Sequence, residues 1–174
     1  MDLFDFKNKI ETSRLKTSAG DSMQKLAVLI LTKNEEKNII DVIQNVQKCA
    51  DEVIIIDSGS TDNTVELAEM AGAHVCFRAW DNDFAAQRNF GLSQTDAEWV
   101  LYLDADERLD SEGINHIKEV VKEGSLKFQY YIIRKSNAFG YSFNYGVLRP
   151  DKVSRLFPRD SVTWVNRVHE KPEC

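Results

Sequence analysis

The chain has 174 residues, which suits one domain, and 43% hydrophobic with 29% charged residues is the composition of a soluble globular protein. A formal net charge of −6 argues against a nucleic-acid partner, which selects for a basic face, and means that an anionic nucleotide would need a cation or a helix N-terminus to hold it. Cys49, Cys76 and Cys174 are odd in number, far apart and without a CxxC pair, which argues against a zinc site or a disulfide framework.

Residues 1–24 are polar and mixed in charge, without the apolar core of a signal peptide, and no apolar run in the chain has the length of a bilayer span. The expectation is a poorly ordered lead or short appended helix over 1–24, a folded domain over 25–174, and a cytoplasmic location. From Leu26 onward, strand and helix signals alternate. Residues 26–31 are a continuous apolar run, short enough for a strand buried on both faces. Asn34 then reads as a helix N-cap with Glu35 and Glu36 in the first turn, and Ile39, Val42, Ile43 and Val46 form one apolar stripe. A second buried strand, 53–56, ends in Asp57 and the turn-rich Ser58-Gly59-Ser60-Thr61-Asp62-Asn63, followed by a helix to about Met70 that Gly72 stops. Residues 74–77 read as a short strand, 84–92 as a helix, 99–103 as a strand delivering Asp104, and 111–122 as an amphipathic helix.

After Lys127 the chain becomes strand-rich. Residues 128–134, 153–157 and 162–165 read as strands, with a hairpin or ordered loop over 139–148. The fold class is therefore α/β, a mainly parallel central sheet flanked by helices with a strand-rich C-terminal third. In such sheets ligands bind outside the carboxyl ends of the strands, where Asp57 and Asp104 are expected.

Asp104-Ala105-Asp106-Glu107 follows an apolar strand directly. Carboxylates this close repel unless a cation lies between them, and a divalent ion with hard oxygen ligands would relieve the repulsion and bridge diphosphate oxygens. The plainer reading is a solvated turn that caps the next helix. Asp57 has two readings of equal weight, acceptor for a ribose or base donor and cap of the turn after it. Glu35 divides the same way, between helix-dipole partner and ribose ligand. Neither GxGxxG nor GxxxxGK[ST] is present, against a dehydrogenase or P-loop enzyme.

The segments 29–36, 53–64, 84–92, 98–107, 155–160 and 168–170, in this order, resemble family-two inverting glycosyltransferases, in a branch similar to bacterial lipopolysaccharide-core β-glucosyltransferases. The resemblance covers about residues 26–170. It implies a GT-A (Rossmann-like) fold, a nucleotide-diphosphate sugar donor (UDP first), a Mg²⁺ or Mn²⁺ ion, inversion at the anomeric carbon, and a glycan or lipid-linked acceptor of the cell envelope, with peripheral association at the inner membrane face. It places Thr32, Glu35 and Asp57 at the nucleoside, Arg88 near the donor, where its fork suits diphosphate or a carboxylate of the cluster, and Asp104 on the ribose and metal side. Asp106 becomes the principal metal ligand. Glu170 is the candidate base and His169 a metal or diphosphate ligand, with the two roles exchangeable. Tyr141, Tyr145 and Trp164 are candidates for stacking on an acceptor sugar, or for core and hairpin packing. Family members continue with further helices beyond the position of Glu170, so the donor half is expected complete and the chain is read as a truncated, a naturally short or a fragmentary form. Two other readings compete: a catalytically inactive sugar-nucleotide-binding or scaffold module, and a nucleotidyltransferase, which would usually carry a Gly-rich basic loop where this chain has Thr32-Lys33-Asn34-Glu35-Glu36.

Overall fold

The structure is a computed structural model that describes residues 24–127, 129–135, 137–138, 141–142 and 150–173. Its elements run β1 (Leu26–Thr32), α1 (Ile39–Val46), β2 (Glu52–Asp57), α2 (Thr64–Met70), β3 (His74–Phe77), α3 (Phe84–Leu92), β4 (Trp99–Asp104), α4 (Ser111–Glu123), β5 (Tyr130–Arg134), β6 (Asn137–Ala138), β7 (Tyr141–Ser142), β8 (Asp151–Pro158), β9 (Thr163–Val165) and β10 (Lys171–Glu173). The main sheet has the order β3-β2-β1-β4-β8-β5. Its first four strands are parallel, β8 lies antiparallel on β4, and β5 antiparallel on β8. The expected α/β class, with a mainly parallel sheet and a strand-rich last third, is what forms.

The apolar runs are continuous because both faces of the parallel strands are covered. Val28, Ile30, Ile55, Leu101 and Leu103 pack under α1 and α4, whose inward residues include Ile39, Ile43, Ile114 and Ile117. Ala27, Leu29, Ile54, Ile56, Val100 and Tyr102 face the other way, toward Ala85 of α3, Phe157 and Trp164. Helix α3 lies close on that second face. A Cβ at Gly91 would stand 2.7 Å from Ile56 Cδ1, so only glycine lets the helix approach this far.

Three sequence expectations change. Asn34 is not the N-cap of α1. It sits at φ +58, its side-chain oxygen is taken by the Thr61 amide at 2.8 Å, and the helix begins at Ile39 after a turn in which the Asn38 amide reaches the Glu35 carbonyl. The first-turn acid of α1 is accordingly Asp41, not Glu35 or Glu36. In the 139–148 region, β6 and β7 pair antiparallel, starting two residues earlier than the expected hairpin, while residues 143–149, Tyr145 among them, lie outside the described residues. Strand β10 was not foreseen: it is three residues long, contains Pro172 and pairs with β9 at the edge of a two-stranded sheet, where proline is tolerated. Of the 1–24 lead, residues 1–23 are outside the described residues, and Gln24 accepts a hydrogen bond from Trp99 Nε1 at 2.7 Å. Among the described residues no helix is long and apolar enough to cross a membrane.

Candidate active site

Strand β1 is where the chain order reverses, since β2 and β3 lie to one side of it and β4 to the other. The carboxyl ends of strands at such a reversal diverge into a crevice. Register brings Thr32 opposite Asp57 and Leu31 opposite Asp104, so both acidic residues reach the same edge.

On the β1–β2 side every polar group faces another. Asp57, 3% exposed, accepts from the Gly59 and Ser60 amides at 2.8 Å each with one oxygen, and from Thr32 Oγ1 at 3.1 Å and Ser60 Oγ with the other. Gly59 takes φ +98 to close this turn. The two loops above it are joined by reciprocal bonds. The Asn34 amide donates to Ser60 Oγ at 2.8 Å, the Glu35 amide to Thr64 Oγ1 at 2.7 Å, and the Glu36 amide to Asp62 Oδ2 at 3.2 Å. The Asn63 amide returns a bond to Glu36 Oε2. Glu35 accepts from Asn38 Nδ2 at 2.9 Å. Thr32 and Asp57 are thus in contact, with Glu35 in the adjoining loop, and the turn-holding reading of Asp57 is realised in full.

On the β4–β8 side the organising groups are charges. The Asp104 amide donates to Glu107 Oε2 at 3.0 Å and the Glu107 amide returns to the Asp104 carbonyl at 3.0 Å, closing the acidic turn on itself. Arg155, on β8, reaches Asp104 Oδ2 at 2.9 Å and Glu107 Oε1 at 3.2 Å, and Arg134, at the end of β5, lies 3.6 Å from Glu107 Oε1. Burial pushes the Asp104 carboxyl up, but the opposing pull of Arg155, Arg88 and Arg134 is larger and holds it below the ordinary carboxylate range. Burial wins at Glu107, whose carboxyl is raised despite Arg155. Asp106 is exposed and has no hydrogen-bond or ion-pair partner among the described residues.

Arg88 joins this cluster to the C-terminal segment. It is buried, with its guanidinium carbon 4.6 Å from the Trp164 ring centroid and 5.5 Å from that of Tyr102. Nε and Nη2 both donate to Glu170 Oε1 at 3.3 Å, and Nη2 lies 3.6 Å from Asp104 Oδ1. Nη1 is buried without a partner among the described residues. Its fork thus faces two carboxylates, Glu170 by hydrogen bond and Asp104 of the acidic cluster by ion pair.

The candidates of the C-terminal segment separate. Glu170 is brought to Arg88 and so to Asp104. His169 is exposed at φ +54, and among the described residues no three His, Cys, Asp or Glu side chains are grouped to hold a metal, so Asp104, Asp106 and His169 do not form a ready ligand set. Trp164 is no stacking surface for an acceptor. It is 5% exposed and packs edge-to-face on Tyr102 at 5.0 Å and Phe157 at 6.1 Å. Tyr141 lies in β7. The sequence reading gave no role to Arg155, Arg134 or the anchoring of Glu107. Arg155 had a signal, because it stands two residues before Phe157 in the same strand and so points to the same face. Arg134, the last residue of its strand, had none.

The sequence profile of Glycosyl transferase family 2 matches residues 27–159. An uncharacterised glycosyltransferase of Rickettsia bellii is 42% identical over 148 residues, covering 84% of this chain and 50% of that protein. The lipopolysaccharide core biosynthesis glycosyltransferase LpsC of Rhizobium meliloti is 30% identical over 152 residues, covering 83% of this chain and 56% of that one. Another uncharacterised glycosyltransferase, from Rickettsia typhi, is 42% identical over 90 residues, 52% of this chain and 30% of its own length. The chain thus spans about a third to a half of the length of the curated relatives it matches. Among solved structures, glucosyl-3-phosphoglycerate synthase of Mycobacterium tuberculosis in complex with Mn²⁺, uridine diphosphate and glucosyl-3-phosphoglycerate is 28% identical, with a TM-score of 0.44 over 48% of this chain and 34% of that one.

Proposed function

The chain belongs to glycosyl transferase family 2, and from that premise we propose that it transfers a sugar, with inversion, from a nucleotide-diphosphate sugar, UDP-hexose in the first place, to a glycan or lipid-linked acceptor of the cell envelope. The observation that carries this reading is the contrast inside the acidic turn. The carboxylates of Asp104 and Glu107 are both gripped by Arg155, and that of Asp106 is left exposed at the strand-order reversal, with no hydrogen bond or ion pair among the described residues.

The hard carboxylates of Asp104 and Asp106 are of the ligand type that would hold a Mg²⁺ or Mn²⁺ ion. Such an ion, when bound, would supply positive charge to the departing nucleotide diphosphate. Arg155 and Arg88 keep Asp104 ionised and oriented for that role. Arg88 Nη1, buried without a hydrogen-bond partner among the described residues, is a donor that an anion reaching it would satisfy. The nucleoside is assigned to the crevice beside Thr32, Glu35 and Asp57, where the two joined loops supply a fixed wall.

Inversion by single displacement needs a base within hydrogen-bond reach of the attacking hydroxyl. Glu170 suits that role. Arg88 grips only its Oε1, which leaves Oε2 without a partner among the described residues and held at a fixed angle. His169, exposed beside it in sequence, remains the diphosphate partner in this scheme. The envelope acceptor is favoured by the 30% identity to LpsC across most of this chain.

Calorimetric titration of UDP and GDP with and without Mn²⁺, repeated on Asp106→Ala, tests the reading. Metal-dependent binding of one nucleotide, lost in the variant, is expected. Equal affinity of the variant and the parent in the presence of metal would sink it. Glu170→Gln is expected to keep donor binding and lose turnover, whereas His169→Gln should weaken donor binding.

A further inference from the structure

Helix α3 carries Phe84, Gln87, Arg88 and Gly91 at the spacing of one helix face, and the last three are buried. Gln87 and Arg88 diverge from that stripe. Gln87 Nε2 lies 3.3 Å from Ser58 Oγ, just past the end of β2, while Arg88 Nη2 lies 3.6 Å from Asp104 Oδ1 at the end of β4. Phe84 precedes them by three and four residues, so it stands one turn nearer the helix start with its direction between theirs. That start is at the crevice: the Arg78 amide bonds the Asp57 carbonyl where β3 ends, and the connection from there leads straight into α3. Phe84 therefore stands above the strand ends, on the line from the Asp57 loop to the acidic turn.

Phe84 is 41% exposed although it continues a buried stripe. The exposure is not fraying. Asp83 caps the helix by accepting the Ala86 amide at 2.9 Å, and the Phe84 amide is fixed to the Arg167 carbonyl at 3.1 Å. Trp80 meets the ring edge-on at 4.6 Å and is itself held by its Nε1 bond to Asn82 at 3.1 Å. A fixed, half-open aromatic face at this place is a stacking platform.

We propose that Phe84, buttressed by Trp80, stacks on the nucleobase of the donor nucleotide. The inference rests on the donor reading above and deepens it. With all the Asp57 hydrogen bonds taken internally, affinity for the base would come largely from a ring contact, which every base can make.

The test titrates the full chain with UDP and with inorganic pyrophosphate, Mn²⁺ present throughout, in the parent, Phe84→Ala and Phe84→Tyr, with thermal unfolding to show that each is folded. Phe84→Ala is expected to weaken UDP roughly tenfold, the order of one base–aromatic contact, and to leave pyrophosphate unchanged. Phe84→Tyr, which keeps the ring, should bind both like the parent. Equal UDP affinity in Phe84→Ala, or a parallel loss of UDP and pyrophosphate, overturns the stacking role and leaves the donor reading standing. A parent that binds neither UDP nor GDP overturns both.

Discussion

Asp57 and Asp104 end neighbouring parallel runs of the same sheet, one on each side of β1, and their surroundings are opposite. Asp57 is 3% exposed and surrounded by neutral donors, two amides and two hydroxyls, so its charge is spent on building a turn. Asp104 is half exposed and answered by guanidinium groups, with a second, unpaired carboxylate two residues on. A carboxylate at the end of a buried strand has one sequence signature and two uses. Hydrogen bonds make a rigid wall that needs nothing further. A carboxylate balanced by arginines is held at the strand end by charge while it stays half exposed.

The largest effect that would sharpen this contrast is at Arg155. Arg155→Met leaves the buried Glu107 carboxylate and one side of Asp104 without their main cation, and removing one partner of a buried pair costs about 3–5 kcal/mol. Urea denaturation measures it. A loss under 1 kcal/mol would mean that the charges relax into water and that the cluster does not hold the turn. Asp57→Ala should cost about 2–3 kcal/mol, because it strands the Gly59 and Ser60 amides and Thr32 Oγ1. Its effect should be almost independent of salt, whereas the exposed part of the Arg155 network is screened. Equal salt dependence of the two variants would erase the distinction between a hydrogen-bonded wall and a charged one. Asn34→Ala removes one exposed tie between the two loops and is expected to cost about 0.5–1.5 kcal/mol, with faster hydrogen exchange at the Thr61 amide as the local readout. Asp106→Ala should change stability by no more than about 0.5 kcal/mol, as for an exposed residue whose charge acts only through solvent on Arg108. A marked loss there would show that Asp106 is structural.

Much of the frame was legible because it depends on short-range rules. Continuous apolar runs marked β1, β2 and β4, and helices α2, α3 and α4 fell close to the expected bounds, whereas α1 starts later than expected. The acidic ends followed from strand length alone. What was missed is of another kind. Asn34 has the chemistry of an N-cap, and nothing local says that the Thr61 amide, 27 residues on, will take its side chain first. Glu107 reads as one more acid of the cluster, and becomes its anchor only because Arg155 and Arg134 arrive from 48 and 27 positions later in the chain. Trp164 was eligible for an acceptor surface until the packing of Tyr102 and Phe157 enclosed it. Phe84 was only a helix-start residue until the divergence of Gln87 and Arg88 showed what it stands over.

The sequence alone determined the α/β alternation, the carboxyl-end placement of Asp57 and Asp104, and the family, because apolar periodicity and motif order are properties of neighbours along the chain. Only the tertiary structure decided which carboxylates are spent on the fold and which are left exposed. That depends on long-range partners, since a buried charge is tolerable only where an opposite charge or a set of donors meets it, and their arrival is set by how the strands pair.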